Sequence, residues 1–154
     1  MNQLLKEMLP VKLSQLVRCF AVGLTLASNV IYAHELGGSL DCHSDSHEFI
    51  KQLVDSNEIG SKPMKVSDNS VNAYQPRPKR DLTALGFKVR AVFGFSPHDD
   101  MFTQNGSSEA TNEVYGVVVV AGKDAVSEHI REMGSSATVK EVIPLVLTAV
   151  VCQK

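Results

Sequence analysis

Tryptophan is absent, and aromatic residues make up only 6% of the chain. Carbohydrate platforms and single-strand nucleic-acid surfaces stack rings and bases on aromatic faces, so both classes lack their usual material here. A surplus of positive charge is missing as well. Fifteen Lys and Arg stand against 17 Asp and Glu, a formal net charge of −2. No overall field favours nucleic acid. Glycine-rich phosphate cradles and nucleotide motifs are absent, and nothing in the residues calls for a cofactor. Cysteine is scarce at three residues. The 154 residues suit one domain of ordinary globular composition.

The start of the chain differs from the rest. Lys6, Lys12 and Arg18 precede an uncharged stretch from Cys19 to Ala33. A basic n-region, an apolar h-region and a small residue at the cut are the order of a signal peptide. The stretch falls short of the about 20 residues that a bilayer span needs. Residues 1–33 are therefore expected to be a cleaved signal peptide, and residues 34–154 a single α+β domain with no transmembrane span. The expected location is periplasmic or secreted. Arg18 stands directly before Cys19, where a lipoprotein would need a small residue. Loss of the leader removes Cys19 and leaves Cys42 and Cys152, one near each end. In an oxidising compartment these two predict one internal disulfide. Chain-entropy reasoning gives roughly 4–5 kcal/mol for so long a loop. Free buried thiols, an intermolecular bridge and a metal pair are the rival readings.

Periodicity predicts the elements. Asp45 stands three before Glu48, a capping-box spacing, and Phe49, Ile50, Leu53 and Val54 follow as one apolar stripe. A helix over about 46–57 is expected. Residues 61–81 hold Pro63, Pro76 and Pro78 and read as a long connection, with a short edge strand near Met64–Val66. Phe87, Val89, Ala91, Phe93 and Phe95 alternate with other residues, a period-two strand. Residues 114–121 form a β-branched run suited to a strand covered on both faces. Residues 122–134 read as a second helix with Asp124 at its N-cap and Gly134 as its stop. Strands over 138–142 and 145–152 follow, divided by Pro144. The predicted fold is α+β, with two helices packed on one largely antiparallel sheet of about four strands and one internal disulfide. Strand, helix and strand over 114–142 could pair in parallel through a crossover.

Four groups of residues could carry chemistry. Residues 41–48 place Cys42, His43, His47 and three acids close together, a donor set suited to zinc or copper. An Asp45 N-cap would leave His43 outside the helix and spoil the spacing. His34 would become the N-terminus after cleavage and could chelate copper through its amine and imidazole. Ser96, His98 and Asp99 supply the residue types of a hydrolase, yet near neighbours rarely hydrogen-bond in the required order. Arg77, Lys79 and Arg80 form a basic patch that could meet an acidic partner or anionic headgroups, or simply face solvent. His129 borders the apolar stripe of the second helix and reads as a packing or surface residue, not a ligand. Asn105-Gly106-Ser107 fits a glycosylation acceptor in a host that glycosylates exports.

The residues point to an exported, non-enzymatic binding or accessory protein that acts through a protein or envelope partner. The competing expectation is a periplasmic zinc or copper protein using His34, His43, His47 and His98. A small hydrolase is the third.

Overall fold

The computed structural model describes residues 34–105 and 112–154. The expected signal peptide, residues 1–33, lies outside the described residues, as do Gly106 and Ser107. In chain order come strand β1 (His34–Glu35), a 3-10 turn (Gly37–Leu40), helix α1 (Ser46–Asp55), and strands β2 (Lys65–Val66), β3 (Asn72–Tyr74), β4 (Leu82–Ala84), β5 (Phe87–Phe95) and β6 (Val114–Val120). Helix α2 (Lys123–Glu132) and strands β7 (Thr138–Ile143) and β8 (Leu147–Gln153) complete the chain.

The sheet has eight strands, with the order β1-β4-β5-β6-β8-β7 along its main path. The expected sheet of about four strands is overturned. Strands β1 to β4 are only two or three residues long, too short for a period-two pattern to show. The sheet is also mixed, because β1 pairs with β4 in parallel while the other pairs are antiparallel. The crossover reading of residues 114–142 needs a related correction. Strand β8 lies between β6 and β7, antiparallel to both, so those two run the same way without touching edges.

Residues 61–81 are not a structureless connection. Strand β3 pairs with the second half of β5, and β2 pairs with β3. The chain then runs past Glu58 and Ile59. The Gly60 amide donates to the Gln75 carbonyl (3.1 Å), and the Arg77 amide donates to the Glu58 carbonyl (2.8 Å). These bonds satisfy the backbone that two prolines leave short of donors.

Both helices lie on one face of the sheet. A Cβ added at Gly94 would come within 2.7 Å of Ile50, and the Phe49 and Tyr115 rings stand 4.8 Å apart. Phe87 meets the α2 residue His129 at 5.3 Å. This face holds the core: Val92, Val117, Val119 and Val150 are wholly buried, and Val126 and Ile130 of α2 and Leu53 of α1 join the same cluster. On the opposite face, an added Cβ at Gly116 would stand 2.8 Å from the Phe93 ring, so glycine lets that ring lie across the strand.

Asp45 caps α1 as expected, its carboxylate accepting the Glu48 amide (2.6 Å). Helix α2 differs: its N-cap is Gly122, and no side chain caps it. Asp124 instead lies in the first turn, where its charge favours the positive end of the helix dipole. Cys42 and Cys152 form the expected disulfide, with Cα atoms 5.1 Å apart. Cys152 pairs with Tyr115 across β6 and β8 and so faces the helices, where Cys42 reaches it.

Candidate binding surface

The basic patch sits on a turn that its own backbone fixes. Pro76 bridges Ile59, the Arg80 amide donates to the Arg77 carbonyl (3.2 Å), and Lys79 adopts a φ of 69°. Arg77 donates its Nε to the Ile59 carbonyl (3.2 Å), which aims its guanidinium. Arg80 stands 3.7 Å from Glu58, and Glu58 also meets the His34 imidazole at 3.3 Å.

Strand β5 adds two cations that sequence reasoning did not assign to the patch. Lys88 and Arg90 line the same concavity of about 230 Å³ as Arg77, Lys79 and Arg80. Asp81 is the one acid in that lining. Among the described residues, no carboxylate lies within ion-pair distance of Arg77, Lys79, Lys88 or Arg90. Their spacing of two explains the grouping, since alternation puts both on one side of β5 with buried Val89 between them. The β-bulge that follows, between Val89 and Ala91, moves Ala91 and Phe93 to the face opposite Val89, so the expected single buried face of β5 is split in two. The only sequence signal for this was the pair of cations spaced two apart in β5.

The histidines take separate partners. His34 meets Glu58, His43 meets Asp41 at 3.0 Å, and His47 meets Asp99 at 2.8 Å. The Asp41 carboxyl is held below its ordinary range, chiefly by the His43 amide and then by the His43 ring. His43 precedes the helix and His47 lies in its first turn, so they do not share a helix face. His98 stands at a φ of 63°. Among the described residues no group of three or more His, Cys, Asp or Glu could hold a metal ion. The Cys42 sulfur is engaged in the disulfide and offers no thiolate.

The hydrolase residues are likewise dispersed. Asp99 accepts the Met101 amide (2.9 Å) on one carboxylate oxygen and faces His47 with the other. Among the described residues, no hydrogen bond joins Ser96, His98 and Asp99. The His47–Asp99 contact ties the start of α1 to the segment after β5, a link that no local spacing could reveal.

A second hollow, of about 650 Å³, opens between α2 and the turn from β4 to β5. Glu35 stands in it, but its carboxylate already receives the amides of Gly37 (2.8 Å), Leu85 (2.6 Å) and Gly86 (3.2 Å). That carboxylate braces β1 against the turn. His129 borders the hollow with its ring on Phe87 and its Nδ1 buried without a partner, which fits its expected packing role.

No protein-family model matches the chain, and no curated protein or solved structure matches it. Among the described residues, no helix is long and apolar enough to cross a membrane.

Proposed function

We propose that this protein is an exported, non-enzymatic binding or accessory domain that engages an anionic partner of the cell envelope or exterior through its basic concavity. One observation carries the reading. Lys88 and Arg90 of β5 join Arg77, Lys79 and Arg80 around a single hollow on a chain whose net charge is negative. Scattered solvating charges would have no reason to converge there. Rim cations of this kind steer an anionic partner and set the association rate. Support for export comes from the signal-like order of residues 1–33 and from the disulfide, a bond that persists in oxidising compartments.

An immobilised polyanion tests the reading. The purified chain is expected to be retained at moderate ionic strength and released by salt. The Lys79→Gln, Lys88→Gln double variant, at cations without a carboxylate partner among the described residues, is expected to elute at clearly lower salt with its melting temperature unchanged. Equal retention of the variant would remove this surface from consideration.

A further inference from the structure

The sheet face turned away from the helices is sorted by charge, and the geometry points to an anionic lipid bilayer as its partner. The inference rests on the basic concavity being a binding surface and names what that surface meets.

The register fixes which residues stand on this face. Gly94, Tyr115 and Cys152 share one row and face the helices. Alternation turns their neighbours outward. Near the β5 start the outward residues are Lys88 on β5, Val118 and Val120 on β6, Leu147 and Ala149 on β8, and Lys140 and Ile143 on β7. No outward position of these four strands carries Asp or Glu. Glu141 pairs with Thr148 and so starts on the helix side, and its carboxylate is taken up by the Leu145 amide at the β7–β8 turn. The outward face is thus apolar across its middle. Lys88 and Arg90 flank it on one side and Lys140 on the other, three strand spacings or about 14 Å away.

Exposure marks the end of the sheet where contact would be made. Val120 is 45% exposed and Ile143 48%, while the helix-side Val117 and Val150 are fully buried. The turn from β7 to β8 extends the patch. Leu145 is 84% exposed and holds a φ of 62°, a conformation that leucine adopts at a cost. Its amide donates to the Glu141 carboxylate (3.3 Å), so the chain holds the backbone of the turn while the side chain stands in solvent.

Charge decides among the candidate occupants. A second copy would set cations against cations, because the outward strand positions carry no acid and Glu141 is engaged by the Leu145 amide. A purely acidic partner would leave the apolar turn unmatched. An anionic bilayer answers both features: headgroups meet the flanking cations, and the Leu145 turn enters the boundary beneath them.

The absence of tryptophan makes the test direct. In the full-length Leu145→Trp variant the introduced indole is the single tryptophan in the protein. It is mixed with vesicles of phosphatidylcholine alone or of phosphatidylcholine with phosphatidylglycerol. We expect binding to the anionic vesicles, release by salt and a blue shift of the indole emission. A Lys51→Trp control on exposed α1 should bind without a shift. Lys88→Gln with Arg90→Gln should weaken binding about 25-fold, from roughly fivefold per cation. Several outcomes would overturn the inference: equal binding to neutral vesicles, an unshifted indole, or cation variants that bind as before. Loss of vesicle binding with polyanion retention intact would instead assign the concavity to an acidic macromolecule. A concentration-dependent dimer with an unshifted indole would assign the face to self-association. Loss of both vesicle binding and polyanion retention would sink the proposed function as well.

Discussion

Tyr115 illustrates how a single atom can set a pH limit. Its ring stacks on Phe49 inside the core, and its hydroxyl is buried with no hydrogen-bond partner. Burial, followed by the nearby charges of Asp41 and Glu113, pushes its ionisation up to about 12. The sign follows from which form the fold prefers. The fold holds the neutral phenol, so the stabilisation is fully present below the ordinary tyrosine value near 10 and is lost as pH rises through about 12. Far-UV dichroism between those limits should show alkaline loss of structure, and Tyr115→Phe should reduce it. At neutral pH the same variant should match or exceed the parent by up to ~1 kcal/mol, since it removes an unsatisfied buried hydroxyl. A melting midpoint well below the parent's would contradict this. Residue identities alone disclosed only part of this scale. Arg77, Lys79 and Arg80 stood out because they are adjacent. Lys88 and Arg90 needed the fold to bring β5 beside the Arg77–Arg80 turn, and His47 needed it to find Asp99.

At the scale of elements, the capping of α1 is where local sequence and structure agree most closely. The Asp45 side chain supplies an acceptor that the first turn would otherwise lack. Asp45→Ala should cost about 1 kcal/mol, read as a lowered denaturant midpoint with an unchanged slope. Asp45→Asn, which keeps the acceptor, should recover most of it. The long elements were legible for a plain reason. Helices α1 and α2 and strands β5, β6, β7 and β8 each run six residues or more, long enough to leave an apolar stripe, an alternation or a β-branched run in the sequence. Strands β1 to β4 depend on partners far along the chain: His34 pairs with Leu82, and Asn72 with Gly94. No local pattern encodes such pairings. The Asp124 expectation failed because a glycine in extended conformation begins α2 without any side-chain acceptor.

For the whole molecule, the bridge between Cys42 and Cys152 closes a loop with a sequence separation of 110. Removing it with a Cys42→Ala, Cys152→Ala double variant should lower stability by about 2–5 kcal/mol, measured by denaturant unfolding of the native and variant chains. A difference within error would mean that the sheet needs no tether. The pairing was legible because the expected loss of the leader, with Cys19, would leave only Cys42 and Cys152 to join. The size of the sheet was not, because its added strands are built from edge segments that pair over long distances.

The same bridge governs how the protein meets a mechanical load. Tension applied ahead of Cys42 and at Lys154 passes from one end to the other through the sulfur pair, not through the ladder of strands. Among the described residues, β1 and the 3-10 turn ahead of Cys42, with Gln153 and Lys154 after Cys152, are the parts outside the closed loop that can be peeled away. The hydrogen bonds between β5, β6, β8 and β7 stay outside the path of the force, so the face they form keeps its shape while the chain is pulled.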